Sequence, residues 1–194
     1  METTAATEVL ALLAALDAEG CPAWIGGGWG VDALAGRQTR PHRDLDVLVE
    51  AHRLDAVLEL LTHRGYAVET DWLPVRVELH RPGHGRVDVH PAVFAADGSA
   101  RQAGLDGTWF DYPADCFVHG VVGGVRVRCL SREQQVTFHT GYEPRDVDRH
   151  DLALLATLRP SVRSLRPEVG QPEPALPEGQ APQHSHDEGD CGEG

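Results

Sequence analysis

Lysine is absent from this 194-residue chain: all 17 basic residues are arginine. That alone removes the Gly-Lys-Ser/Thr phosphate loop. Against the arginines stand 30 Asp and Glu, for a net charge of −13. A surface of that sign repels the nucleic-acid backbone, whose binding rests on neutralised phosphates, so no nucleic-acid partner is expected. A cationic substrate fits better, and a polyphosphate ligand needs a local metal or arginine. No apolar run approaches the ~20 residues of a bilayer span, so no membrane partner is expected either. The opening METTAATEVLALLAALDAEG lacks the basic region of a secretory signal and carries Glu8 and Asp17, which makes the cytoplasm the expected compartment. The four cysteines, Cys21, Cys116, Cys129 and Cys191, include no C-x-x-C pair. Zinc is therefore not expected, and free thiols are.

Large apolar residues are scarce after Leu165. From Pro160 to Gly194 the chain is Pro, Glu, Gly, Gln, His and Ser, with seven acids and two arginines. Such a segment buries too little to offset its ordering entropy, so residues 160–194 are expected to form a disordered acidic tail. His184 and His186 within it read as solvated side chains, not metal ligands.

Residues 1–159 read as one α/β (α+β) domain, with a core over about 8–130 and C-terminal helices over about 131–158. Val9, Leu12, Leu13 and Leu16 recur at helical spacing within 4–19, and Gly20 stops that helix. Ala23 to Ile25 is a short buried strand. Trp29 to Ala35 fits a short helix ended by Gly36. Leu45 to Val49 is β-branched and strand-like. Leu54, Val57, Leu58 and Leu61 mark a helix closed by Gly65. Strand-like runs follow at 66–70, 75–80 and 86–90, the last two joined by the turn Pro82-Gly83-His84-Gly85. Val125 to Cys129 is another strand. Ser131, with Gln134 three residues on, predicts a capping box. A last helix is expected over about 146–158.

Two stretches carry chemistry. The run GGGWG, Gly26 to Gly30, stands where a strand passes into a helix. Glycine permits positive φ and close approach of a ligand, and a helix N-terminus presents free N–H groups and a positive dipole end. Val31 stands where a dinucleotide motif needs its last glycine. The second stretch is Asp44-Leu45-Asp46-Val47. On a strand, residues two apart share a face at about 6.6 Å, so Leu45 and Val47 turn inward while both carboxylates turn the other way. Arg86-Val87-Asp88-Val89-His90 repeats the pattern with Asp88. If the two strands are neighbours, three carboxylates converge, a set suited to Mg²⁺ and to phosphate oxygens. Each piece alone has an ordinary structural explanation, as a tight turn or an exposed acid; the combination favours function.

In this order the elements resemble the nucleotidyltransferase superfamily of DNA polymerase β. More narrowly, they resemble the antibiotic nucleotidyltransferases: the small lincosamide group first, the aminoglycoside 2″ group more distantly. The resemblance rests on Gly27-Gly28-Trp29-Gly30-Val31-Asp32, Gly36-Arg37-Gln38-Thr39-Arg40, and His42-Arg43-Asp44-Leu45-Asp46. Glu69 to Arg76, Val87 to Pro91 and Phe138 to Glu143 also look like the lincosamide group. The likeness covers roughly residues 8 to 158. Trp29, in place of the serine of many superfamily members, is a mark of the antibiotic subgroup.

The resemblance implies a polymerase β-like fold and transfer of a nucleoside monophosphate from ATP or GTP to a lincosamide hydroxyl, releasing pyrophosphate. The alternatives are an aminoglycoside acceptor, or a regulatory or protein-modifying nucleotidyltransferase. Asp44, Asp46 and Asp88 would hold Mg²⁺, with Asp88 as the base and Glu78 as second choice. Gly27 and Gly28 would cradle the phosphates, and Arg40, Arg43 and Arg149 could touch the triphosphate. The expected partners are thus a nucleoside triphosphate and a small-molecule antibiotic, and the resemblance is compatible with a homodimer. His42 and His90 read better as structural histidines, and Trp29 and Trp72 better as core.

Overall fold

The computed structural model describes residues 2–140 and 142–159. The tail expected over 160–194, with Cys191, lies outside them.

A helix α1 (Ala6–Ala18) leads into β1 (Ala23–Ile25), which passes through Gly26 into α2 (Gly27–Ala35). Strand β2 (Asp44–Glu50) and α3 (Leu54–His63) follow, then β3 (Ala67–Trp72), β4 (Arg76–Arg81) and β5 (Gly85–Phe94). Next come β6 (Ala100–Ala103), β7 (Trp109–Tyr112), β8 (Phe117–Val122) and β9 (Val125–Leu130). Two helices close the described chain, α4 (Arg132–Phe138) and α5 (Asp146–Thr157). The strands form one mixed sheet in the order β3-β4-β5-β2-β1-β9-β8, with β6 continuing from β5 and β7 pairing β6. Strands β2 and β5 run parallel, as do β1 and β9; the other pairs are antiparallel. The fold is the mixed α/β arrangement expected.

Alternation decides the two faces. Leu45, Val47 and Val49 of β2, Val87 and Val89 of β5, and Val77 and Leu79 of β4 are buried against Val9, Leu12 and Leu16 of α1 and Val57 and Leu61 of α3. The other face carries a smaller core of Leu48, Ala92, Ala100, Tyr112, Cys116 and Leu130. Leu45 is wholly buried on the inner face. Leu45→Ala should therefore cost about 2–5 kcal/mol in urea unfolding. A cost below ~1 kcal/mol would mean that this face is not the main core.

Several elements differ in detail from the sequence reading. Helix α2 begins at Gly27, two residues earlier than Trp29, so the glycine turn is its first turn. Strands β6 to β8 were not anticipated. Ser131 Oγ does accept from Gln134 N (3.3 Å), but Ser131 N donates to Cys116 O (2.7 Å) and the Gln134 side chain donates to Asp111 O (3.1 Å), so only half of the capping box forms. Cys21, Cys116 and Cys129 are buried free thiols, as expected. Trp29 is core, whereas Trp72 is 51% exposed beneath the Arg76 guanidinium, 4.5 Å from its ring centroid.

Candidate active site

The β2–β5 register sets the site. Asp46 lies opposite Asp88, and Asp88 lies opposite Glu78 of β4. One residue from each of three adjacent strands thus forms a row of carboxylates on one face. Like charges in a row are unfavourable unless cations sit among them, and arginines do. Arg43 binds Asp44 Oδ2 (2.7 Å) and Glu78 Oε2 (2.5 Å). Arg76 pairs with Asp88 and stands 3.9 Å from Glu78. His90 Nε2 lies 3.6 Å from Asp46 Oδ1 and 3.8 Å from Asp88 Oδ2.

The electrostatics separate the acids. Burial, then the charge of Asp46, raises Asp44, against the opposing pull of Arg43. Burial also works to raise Asp46, but the His90 ring N–H and the charges of Arg76 and Arg43 outweigh it, and Asp46 stays below the usual carboxylate range. Asp88 is pushed up to about 6 by burial and then by Asp46, with His90 and, less strongly, Arg76 pulling the other way.

The glycine turn faces this row. Gly27 has φ +53°, and a side-chain carbon there would collide with the Asp46 carboxylate. A side-chain carbon on Gly28 would collide with the His42 ring and Arg40. Bare backbone therefore brings the α2 N-terminus directly against the acids. The loop between α2 and β2 is pinned from below. Buried Asp32 accepts from Thr39 N (3.0 Å) and Thr39 Oγ1 (2.6 Å), and pairs with His42 Nε2 (2.5 Å). His42 is thus structural, as its sequence context suggested, although its buried Nδ1 has no partner. Arg40 stands next to Thr39, and Arg43 next to His42, so this pinning fixes both arginines.

Asp44, Asp46 and the glycine turn line one side of a cleft of about 700 Å³, while Asp88 and Glu78 are buried behind Asp46 in the row and do not border it. Arg40, Arg43 and Arg145 line it, while Phe110, Tyr112 and Phe138 give it an apolar wall. Asp44, Asp46, Gly27, Gly28 and Arg40 all border it. Arg149 does not border it. Its guanidinium donates to Pro144 O and to Asp146 Oδ1 (2.9 Å), on the outer side of α5. Arg145, which caps α5 through a paired contact with Asp148 (2.9 Å), is the arginine that reaches the cleft. Arg40 holds Asp151 through two bonds (2.9 and 2.5 Å), so α5 is clamped beside the turn. Gln102, Tyr112 and Arg145 were missed from sequence because each is a common residue in no motif, and His139, inside the Phe138-to-Glu143 likeness, was given no role of its own.

Asp46, Asp88 and His90 each offer a ligand atom, all within 4.8 Å of one another. Asp88 Oδ1 is buried without a hydrogen-bond partner. An orphaned buried carboxylate oxygen costs free energy unless a cation or donor meets it. The residues therefore fit a divalent cation. The expected trio of acids is only partly reproduced: Asp46 and Asp88 face each other directly, while the Asp44 carboxylate is taken by Arg43.

A glycine-opened helix facing opposed carboxylates on parallel strands of a mixed sheet defines a nucleotidyltransferase. A model of the family described as Aminoglycoside-2''-adenylyltransferase matches residues 8–155, and the chain belongs to that family. It is 36% identical over 135 residues to a lincosamide resistance protein of Staphylococcus haemolyticus, covering 70% of this chain and 84% of that protein. It is 35% identical over 136 residues to a 2''-aminoglycoside nucleotidyltransferase of Escherichia coli, covering 69% and 71%. Among solved structures, the lincomycin-bound lincosamide antibiotic adenylyltransferase LnuA superposes with a TM-score of 0.75 at 32% identity, over 81% of this chain and all of that one. ANT(2'')-Ia in complex with adenylyl-2''-tobramycin gives 0.63 at 25% identity, over 78% and 87%. The chain is an enzyme of a family of antibiotic-modifying nucleotidyltransferases, and the lincosamide group is the nearer of the two likenesses, as the motifs suggested.

Proposed function

We propose that this enzyme transfers a nucleoside monophosphate from ATP or GTP to a hydroxyl of a lincosamide and releases pyrophosphate. The observation that carries the chemistry is the opposed pair Asp46 and Asp88, with the bare turn of Gly27 and Gly28 against it. The acceptor class rests on the likeness to LnuA, which runs over the whole of that chain.

Asp44, Asp46 and Asp88 are the proposed Mg²⁺ ligands. Bound Mg²⁺ would supply charge neutralisation for the triphosphate and acidify the attacking hydroxyl. The N–H groups of Gly27 and Gly28 cradle phosphate oxygens at the positive end of α2. Arg40 and Arg43 add positive charge beside them, and Arg145 takes the part first given to Arg149. Asp88, directly opposite Asp46, is the proposed acceptor of the hydroxyl proton. Glu78 is engaged by Arg43 as Asp88 is by Arg76, but Glu78 lies one strand further from Asp46, which makes it the second choice for the base. Most of the catalysis is positioning and charge stabilisation. We place the enzyme in the cytoplasm, where nucleoside triphosphate is present and buried free thiols persist.

Purified enzyme with ATP, Mg²⁺ and lincomycin should release pyrophosphate. Release with tobramycin or kanamycin and none with lincomycin would favour the second reading, an aminoglycoside acceptor, which the family description and the net charge of −13 support. In the same assay Arg145→Ala should raise the nucleotide KM roughly tenfold, about the worth of one charge-assisted contact. Arg149→Ala should stay within about twofold of wild type, since exposed ion pairs contribute little. The reverse ranking would return the role to Arg149.

A further inference from the structure

Gln102 has no place in the chemistry above, yet its amide is buried and fully used. Its Nε2 donates to Val75 O at 3.0 Å and lies 3.0 Å from His90 Nδ1, while its Oε1 accepts from Tyr112 Oη at 2.6 Å. The two ends of an amide are told apart by their partners. The Val75 carbonyl only accepts, so the amide nitrogen must face it. The reversed amide would set two oxygens 3.0 Å apart and forfeit that bond. Tyr112 is indifferent, because a phenol both donates and accepts.

With the nitrogen so placed, one of its hydrogens goes to Val75 O and the other meets His90. His90 Nδ1 must then be the acceptor and carries no hydrogen. In an imidazole with a bare Nδ1, the hydrogen sits on Nε2. That nitrogen is the one standing between Asp46 and Asp88, 3.6 and 3.8 Å from their nearer oxygens. An Nε2 that bears hydrogen has no lone pair to give a metal.

We propose that Gln102 is a positioning residue that locks His90 in the Nε2–H tautomer, so that His90 turns an N–H and not a lone pair toward Asp46 and Asp88 and is not a metal ligand. The cation is then left to the carboxylate oxygens, the hard ligand set that Mg²⁺ takes. The positive end of that N–H lies near Asp46 and Asp88, beside the Arg76 pair with Asp88. The tautomer belongs to the protein alone; only its consequence for catalysis rests on the function proposed above.

The test is a two-bond ¹H–¹⁵N correlation spectrum of the full chain, ¹⁵N-labelled at histidine and free of metal. A His90→Gln spectrum identifies the His90 signals among the 11 histidines. The expected result is a single His90 tautomer with Nδ1 in the unprotonated range and Nε2 in the N–H range. In Gln102→Met, a similar volume without the donor, that signature should give way to mixed forms. Its kcat should fall roughly 10- to 100-fold, the usual cost of losing a residue that orients an active-site histidine, with KM for ATP little changed. A wild-type His90 carrying hydrogen on Nδ1, alone or on both nitrogens, would overturn the proposal. So would a Gln102→Met spectrum with the His90 signals unmoved. If Gln102→Met does not fold, the wild-type spectrum decides. Absence of turnover with every acceptor, beside an intact tautomer signature, would instead count against the proposed function.

Discussion

Asp88→Asn should give a protein more heat-resistant than wild type at pH 8 in metal-free buffer, and nearly inert. Asp88 is 4% exposed and sits between Asp46 on one strand and Glu78 on the other. Burial and the Asp46 charge push its carboxyl from 3.8 up to about 6. A raised acid binds its proton more tightly in the folded chain than in the unfolded one. Stability is then greatest below the unfolded value, falls as the pH rises from about 4 to about 6, and levels off above that window. Two units correspond to roughly 3 kcal/mol at most. Loss of the Arg76 pair takes back part of it, because asparagine binds a guanidinium less well. The net gain at pH 8 should show as a Tm roughly 2–6 °C higher in a chain of this size. At pH 4 the gain should vanish. Turnover should drop roughly 10³-fold, since a metal-binding acid and proton acceptor is lost together. A variant with wild-type turnover would remove Asp88 from the chemistry; one destabilised at pH 8 would mean that Arg76 more than neutralises it.

Gly27→Ala and Gly36→Ala should share a stability cost but part company in activity. Both glycines have positive φ, +53° and +69°, a conformation that costs an L-residue about 1–2 kcal/mol. At Gly36 an added methyl meets nothing within 4 Å. At Gly27 it meets the Asp46 carboxylate. To make room, either the α2 N-terminus lifts off the acids or Asp46 turns away. A displacement of about 1 Å at a reacting centre costs about 10²-fold. Gly27→Ala should therefore lose at least about 100-fold in kcat/KM as well as stability, while Gly36→Ala loses stability alone. Equal activities in the two variants would show that close approach at residue 27 has no catalytic purpose.

The two acidic strands were legible because their period is two: Leu45, Val47 and Val49, and Val87 and Val89, take every second position, with Asp44, Asp46 and Asp88 between them, and each alternation sorts its own side chains. The glycine turn was legible because few residues other than glycine tolerate both positive φ and contact with a neighbouring side chain. Register was not legible. Nothing in DLDVLVE states that Asp46, and not Asp44, will face Asp88, because that depends on how β5 slides along β2 once the core has closed. Arg149 and Arg145 are four residues apart on one helix end, and which of them reaches the cleft depends on the docking of α5, fixed by the Arg40–Asp151 clamp from a distant loop. Strands β6 to β8 hid behind interrupted patterns, ARQA, WFDY and FVHGVV, where Arg and Gln in the first, Asp in the second, and His and Gly in the third break the apolar alternation. Trp72 misled because one face of its ring packs on the Arg76 guanidinium while half of the residue stays exposed. Gln102 and Tyr112 gave no signal at all: their meaning lies in which partners the sheet brings to them.

The central claim is that the acids of β2 and β5 hold a divalent cation against the nucleotide, and Mn²⁺ as a Mg²⁺ substitute tests it most directly. Free Mn²⁺ is followed by electron paramagnetic resonance during titration into wild-type and Asp46→Asn protein, each with a non-hydrolysable ATP analogue. Wild type should take up Mn²⁺ beyond what the analogue binds alone, and Asp46→Asn, folded by circular dichroism, should not. Equal uptake by the two proteins would contradict the claim.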